Sequence, residues 1–141
     1  MLLLQFGDRI FVQNQLGGNF MRTLVCDDSL SSREELKKVL LTCGIEDIQE
    51  AADGNEAVEK FHQHTPDLIF MDIIMPNKDG ITAIKEILPF KGEAKIVMTS
   101  SCSNVSHLRK AFLIGADSFI QKPFTDINVR EILKTCHGAE V

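Results

Sequence analysis

The residues best suited to chemistry in this chain are polar side chains that each follow a short apolar segment. They are two adjacent aspartates, a third aspartate, a serine and a lysine: Asp27, Asp28, Asp72, Ser100 and Lys122. Three carboxylates at one place would repel one another, so they should either share protons or hold a cation. Oxygen ligands of this kind suit Mg²⁺, which usually binds through a few carboxylates and a phosphate group. Taken singly, such residues more often start turns, cap helices or lie solvated on the surface.

The segment Leu68-Ile69-Phe70-Met71 determines where Asp72 lies. Four apolar residues bounded by polar turns are too few for a buried helix, and they indicate a strand covered on both faces. Such strands occur in parallel sheets, where ligands collect at the carboxyl ends. Met75-Pro76 prevents a helix from starting directly afterwards. Asp72 is therefore predicted at the mouth of a loop that solvent can reach.

From Arg22 onward the chain alternates between strand and helix patterns. The predicted strands cover residues 23–26, 45–51, 68–72, 95–99 and 118–121. The predicted helices run to about Cys43, from Asn55 to about His64, from Gly80, from a cap at Ser103 or Asn104, and from a cap at Thr125 or Asp126. Because crossovers between parallel strands are right-handed, this alternation predicts an α/β fold. We expect a doubly wound five-stranded parallel sheet of flavodoxin-like order 2-1-3-4-5, with helices on both faces.

This strand order brings the carboxyl ends of the first, third, fourth and fifth strands together. The five polar residues should therefore meet in one pocket. The turn after the first strand is acidic and lacks a glycine-rich phosphate cradle, which argues against a flavin or nucleotide ligand. The fourth helix is predicted to carry Val105, Leu108, Phe112 and Gly115 in register on its buried face.

Residues 1–20 differ from the rest of the chain. Leu2 to Phe6 and Arg9 to Gln13 have the pattern of two short strands about Gly7-Asp8, a dipeptide suited to a hairpin turn. One hypothesis is that Met21 is the native start and that residues 1–20 are a translated leader. The other is an appendage that docks on the sheet edge. The predicted division is residues 1–20 as leader or hairpin and residues 21–141 as one domain.

The composition and charge of the chain argue against several classes of protein. Hydrophobic residues make up 44% of the chain and charged residues 25%, which is ordinary for a soluble globular protein. A net charge of −5 without a basic stripe argues against nucleic-acid binding. Four scattered cysteines predict reduced thiols and a cytoplasmic location. No apolar run is long enough to span a membrane.

An ordered set of short motifs resembles the receiver domain of the two-component response regulators. The set spans Arg22 to about His137 and consists of Asp27-Asp28, Met71-Asp72-Ile73-Ile74-Met75-Pro76, Asp79-Gly80, Met98-Thr99-Ser100, Gly115-Ala116-Asp117 and Phe119-Ile120-Gln121-Lys122-Pro123-Phe124. Because the chain ends soon after the fifth helix, it resembles the stand-alone chemotaxis type.

The resemblance implies a role for each site residue. Asp72 would be the nucleophile that accepts a phosphoryl group from a kinase phosphohistidine. Asp27, Asp28, Asp72 and the backbone carbonyl of Ile74 would hold Mg²⁺. Lys122 would pair with the Asp72 carboxylate and with a phosphate oxygen.

The same resemblance assigns the conformational response to two further residues. Ser100 would donate its hydroxyl to the phosphate and move when it arrives; the family's spacing back from Gly115 selects it over its neighbour Thr99. Phe119 occupies the aromatic switch position, although plain core packing is an equal alternative there.

Ile74 and Cys102 would flank the path of a hydrolytic water. Lys122-Pro123 is predicted to be cis, since the loop must turn sharply to aim Lys122 inward.

These roles imply a signalling module whose only chemistry is transfer to its own Asp72 and subsequent dephosphorylation, not an enzyme. The expected partners are a sensor histidine kinase and a downstream protein such as the flagellar motor switch, and the protein is expected to be a monomer. The alternative is a phosphorelay intermediate that passes its phosphoryl group to a histidine phosphotransfer domain. A phosphatase with an aspartate nucleophile is disfavoured, because Asp72-Ile73-Ile74 lacks the second aspartate such enzymes need.

Overall fold

A computed structural model describes residues 2–6, 9–13, 21–101 and 105–137. Its strands are β1 (Leu2–Phe6), β2 (Arg9–Gln13), β3 (Thr23–Cys26), β4 (Ile48–Ala51), β5 (Leu68–Asp72), β6 (Lys95–Ser100) and β7 (Ser118–Gln121). Its helices are α1 (Leu30–Thr42), α2 (Gly54–His64), α3 (Gly80–Ile87), α4 (Val105–Leu113) and α5 (Asp126–His137), with a 3-10 turn at Leu88–Phe90. No helix in the described ranges is long and apolar enough to cross a membrane.

Strands β3 to β7 form one parallel sheet in the order β4-β3-β5-β6-β7. This is the predicted 2-1-3-4-5 order, which is confirmed. β5 lies in the centre, paired with β3 on one side and with β6 on the other. All five β5 residues are buried, as their unbroken apolar run requires.

The two faces of the sheet carry separate cores. Along β5, Ile69 and Met71 face a core completed by α2, α3 and α4, whereas Leu68 and Phe70 face a core completed by α1 and α5. This alternation follows from the two-residue period of a strand. Helices therefore cover both faces, as predicted.

Side-chain caps begin four of the helices. The Ser29 hydroxyl accepts a hydrogen bond from the Ser32 amide, and the carboxylates of Asp53 and Asp79 do the same for Glu56 and Thr82. At α5 the hydroxyl of Thr125 accepts from the Asn128 amide at 3.1 Å, which confirms one of the two predicted caps. The predicted α4 cap at Ser103 or Asn104 lies outside the described residues.

The predicted buried face of α4 was wrong. Val105 is 65% exposed and Phe112 is 48% exposed, whereas Ala111 is fully buried. The buried stripe is rotated by one position and follows Ala111 and Ile114. Since α4 packs near the edge of the sheet against β7, only a narrow face is covered, and a small alanine allows the close approach. Large apolar residues on α4 are therefore not evidence of burial.

The amino-terminal strands form an antiparallel pair. Register runs from Leu2 opposite Gln13 to Phe6 opposite Arg9, so both predicted strands are confirmed. The Gly7-Asp8 turn lies outside the described residues. Farther along, Cys26, Cys43 and Cys136 are free thiols, and burial raises the pKa of Cys136 to about 11.

Candidate functional site

Asp72 ends the central strand and begins the loop that follows. The residue as a whole is only 6% exposed. The amide of Ile73 donates to the Thr99 carbonyl at 3.0 Å, and the amide of Gly80 donates to the Ile73 carbonyl at 2.8 Å. The amide of Ile74 donates to Asp72 Oδ1 at 3.3 Å. The loop therefore returns on itself directly beyond Asp72 and fixes the carboxylate's position.

Lys122 joins Asp72 to the end of β3. Its Nζ lies 2.6 Å from Asp27 Oδ2 and 3.0 Å from Asp72 Oδ2. Its backbone amide donates to the Ser100 carbonyl at 2.8 Å, which connects the end of β7 to the end of β6. The Lys122-Pro123 bond is cis, as predicted. The structure thus brings four predicted residues from four strand ends together.

Three carboxylates form a cluster that could hold a cation. Ligand oxygens of Asp27, Asp28 and Asp72 all lie within 4.8 Å of one another. Asp27 and Asp72 are buried while Asp28 is exposed, so the cluster is open to solvent on one side. Hard oxygen donors with room for water match what Mg²⁺ requires. Ile74, whose carbonyl was predicted as a further ligand, lies on the same loop and is 60% exposed.

The electrostatics of the site follow from one ammonium group serving two carboxylates. Burial raises the pKa of Asp72 to about 6, and the neighbouring Asp27 charge adds to this effect, although hydrogen bonds from Lys122 and Ile74 oppose it. Burial alone would lower the pKa of Lys122, but the bonds to Asp27 and Asp72 outweigh it and raise the pKa. Two carboxylates stabilise the charged form of Lys122, whereas the two carboxylates share a single ammonium group.

Of the two predicted switch residues, Ser100 ends β6 next to this cluster, and Phe119 lies farther back, on β7. Thr99 pairs directly with Asp72 in the β5–β6 ladder, and Ser100 is the next residue, buried at the end of β6. Phe119 on β7 pairs with Met98 on β6, and its side chain is partly buried against the core beneath α4. Cys102, predicted to flank a water path, lies outside the described residues.

Two groups of supporting contacts were missed at the sequence level. Asn77, with a φ of 67°, donates from Nδ2 to Asp53 Oδ2 at 2.8 Å and so ties the loop after Asp72 to the start of α2. Arg33 on α1 donates to the Asp27 carbonyl at 2.7 Å. Pro76-Asn77 did signal a turn, but nothing in the spacing of Arg33 distinguishes it from a surface residue of α1.

Known proteins share both this sequence pattern and this fold. The family model described as "Response regulator receiver domain" matches residues 23–134. The chemotaxis protein CheY of Bacillus subtilis is 43% identical over 112 residues, 79% of this chain and 93% of that protein. CheY of Treponema pallidum is 38% identical over 126 residues, 88% of each chain.

Solved structures of known proteins also have this fold. A chain of the CheX–CheY–BeF3–Mg²⁺ complex from Borrelia burgdorferi, 32% identical, matches with a TM-score of 0.77 over 82% of this chain and 87% of that one. Chemotaxis protein CheY4 of Vibrio cholerae, 27% identical, matches with a TM-score of 0.73 over 81% and 96%. With the family model covering β3 to α5, the chain belongs to the response regulator receiver domain family.

Proposed function

We propose that this protein is a phosphorylation-activated response regulator. It accepts a phosphoryl group from the phosphohistidine of a sensor kinase onto Asp72 and signals through protein–protein interaction. The observation that carries the proposal is the Lys122 ammonium between the Asp27 and Asp72 carboxylates, beside the exposed Asp28. A largely buried lysine that bridges two carboxylates at converging strand ends supports this proposal, because it holds a positive charge beside the proposed nucleophile.

The chemistry begins with the ionised Asp72. A pKa of about 6 leaves most of this carboxylate charged at neutral pH and therefore nucleophilic. One carboxylate oxygen attacks phosphorus and forms an acyl phosphate, while the bond from phosphorus to the histidine nitrogen breaks and its electron pair stays on that nitrogen. Lys122 then pairs with a phosphoryl oxygen, since it is already within hydrogen-bond distance of Asp72.

Asp27 and Asp28 would hold Mg²⁺ together with Asp72 and the backbone carbonyl of Ile74. When bound, the ion neutralises charge on the transferring group. The fit rests on three oxygen donors whose atoms lie within 4.8 Å of one another. Asp28 is exposed and so gives the solvated ion access to the two buried carboxylates.

Ser100 and Phe119 supply the response. The Ser100 carbonyl already accepts from the Lys122 amide, so a shift of one residue is communicated to the other. As the Ser100 hydroxyl turns toward the phosphoryl oxygens, Phe119 moves into the space beneath α4. Complete burial of such a ring contributes about 1.5–3 kcal/mol, which is enough to bias a two-state equilibrium. The altered surface is formed by α4, β7 and α5.

Chemotaxis is the pathway that we propose. The CheY proteins of Bacillus subtilis and Treponema pallidum, both identical at more than a third of the aligned positions, are chemotaxis proteins. The downstream partner would be the flagellar motor switch or a protein that binds this chain as CheX binds CheY in the Borrelia burgdorferi complex. The protein would act as a cytoplasmic monomer that makes no contact with nucleic acid or membrane.

The test is labelling with a radioactive small acyl-phosphate donor in Mg²⁺. Wild type and Asp47→Asn, a control at an exposed aspartate of the same domain, should both carry acid-stable, hydroxylamine-sensitive label. Asp72→Asn should carry none while keeping its circular dichroism spectrum. Full labelling of Asp72→Asn would remove the assignment. Transfer of the label onward to a histidine domain would replace chemotaxis with a relay role.

A further inference from the structure

A network of charged side chains links α1 to β4 behind the acidic turn. Arg33 Nε donates to Glu50 Oε1 at 3.0 Å, and Lys37 Nζ donates to Glu50 Oε2 at 2.9 Å. The other end of the Arg33 guanidinium reaches the Asp27 carbonyl, where Nη1 donates at 2.7 Å. Arg33 is largely buried, with a side chain 15% exposed. It therefore uses both sides of its fork, one on Glu50 and one on the backbone of the cluster.

The bond to the Asp27 carbonyl determines more than the position of one oxygen. A peptide group is planar, so fixing this carbonyl also fixes the Asp28 amide and the direction in which the chain leaves Asp27. The rest of Asp27 is also held: its amide donates to the Ala51 carbonyl at 3.0 Å, and its Oδ1 accepts from the Ser29 amide at 2.9 Å. The structure describes no comparable side-chain bond to exposed Asp28, whose placement depends on that peptide plane.

We propose that Arg33, held in place by Glu50, is a positioning residue that orients the Asp27-Asp28 peptide so that both carboxylates converge on a divalent cation. The inference rests on the proposed function, because it presumes that this cluster holds Mg²⁺. Partners of metal ligands often matter in this way, since they preorganise ligands that would otherwise have to be ordered on binding.

Charge alone predicts the opposite effect, and this makes the inference testable. A guanidinium close to a cation site repels the cation, so its removal should strengthen Mg²⁺ binding if only its charge mattered. Loss of a positioning contact should weaken binding instead. Lys37 provides a matched control, since it carries the same charge and bonds the same Glu50 but has no described bond to Asp27.

The experiment measures Mg²⁺ affinity by isothermal titration calorimetry, because the chain has no Trp or Tyr to report binding by fluorescence. Arg33→Ala should weaken affinity about tenfold, whereas Lys37→Ala should leave it unchanged or slightly stronger. Arg33→Lys has one ammonium in place of a fork and should fall between wild type and Arg33→Ala. Glu50→Gln should weaken affinity less than Arg33→Ala, because the amide oxygen still accepts from Arg33.

A second measurement needs no metal. Exchange of the Asp28 amide, followed by NMR in chelator, should be faster in Arg33→Ala than in Lys37→Ala. Thermal melts without Mg²⁺ identify any variant that is unfolded, and Arg33→Lys and Glu50→Gln then decide the question. Equal or tighter Mg²⁺ binding by Arg33→Ala would overturn the inference while leaving the proposed function intact. Failure of the wild type to bind Mg²⁺ would overturn the metal site itself and therefore both.

Discussion

Replacing Asp72 by asparagine should stabilise the fold at neutral pH even as it removes the proposed phosphoryl acceptor. Burial raises the pKa of Asp72 to about 6 from an ordinary value of 3.8. Each pKa unit corresponds to about 1.4 kcal/mol, so ionising this group in the folded state costs about 3 kcal/mol more than in the unfolded chain. Asparagine has nearly the same shape and no charge to desolvate. We expect the free energy of unfolding to rise by about 1–3 kcal/mol, the lower end allowing for a weaker bond to Lys122.

The stability gained by Asp72→Asn should change with pH in a defined direction. A carboxyl whose pKa is raised in the folded state does not destabilise the fold while it is protonated. The destabilisation develops as the pH rises from the pKa of the unfolded state through the folded-state pKa of about 6. The difference between Asp72→Asn and wild type should therefore be largest near pH 7 and should shrink toward pH 4. Urea unfolding followed by far-ultraviolet circular dichroism in chelator measures it at each pH.

Two results would refute this reasoning. The first is an Asp72→Asn variant less stable than wild type near pH 7, since it would mean that the ion pair with Lys122 outweighs desolvation. The second is a stability difference that does not change with pH, because the effect would then not come from ionisation of Asp72. Asp47→Asn, at an exposed position, serves as the control for replacing a carboxylate by an amide.

Three further substitutions test other parts of the molecule. Ile74→Asn should speed loss of the acyl phosphate several-fold, because a polar group beside Asp72 orients water better than the exposed isoleucine; a decay rate equal to that of the distant control Ile127→Asn would count against it. Phe119→Ala should reduce the gain in partner affinity on beryllofluoride binding while Asp72 labelling stays nearly unchanged, and chemical-shift changes confined to α1 and α2 on activation would contradict this. Gly80→Ala should cost about 1–3 kcal/mol of stability in urea unfolding, since its methyl group would overlap the Asp72 carbonyl; stability equal to that of the exposed control Thr82→Ala would show that the loop adapts freely.

Much of the fold could be predicted because its signals are local. The apolar run before Asp72 marks a doubly covered strand, and the structure buries all five residues of β5. The alternation of strands and helices then leaves few topologies, because crossovers are right-handed. The cap of α5 could be narrowed to Thr125 or Asp126 from the sequence, and the structure selects Thr125. These features depend on neighbours within a few residues.

The remainder depends on how elements pack. The buried face of α4 could not be predicted, because that helix carries large apolar residues on sides that the sheet edge leaves exposed, such as Val105 and Leu113. The contact of Arg33 with the Asp27 carbonyl depends on the angle between α1 and β3, which no spacing encodes. Sequence reasoning could therefore name the residues of the candidate site but not those that hold them in place.

The place of β5 in the sheet has a consequence for how the molecule opens. A strand bonded on both sides exchanges its amide hydrogens only when a large part of the domain unfolds, whereas an edge strand opens through smaller fluctuations. β5 is flanked by β3 and β6, while β7 lies at the end of the strand order with β6 as its neighbour. The backbone amides of β5, which carries Asp72, should therefore be among the slowest to exchange. Those of β7, which carries Phe119, should exchange sooner. Under the proposed function, a phosphoryl group on Asp72 would alter the opening of β7 without loosening β5.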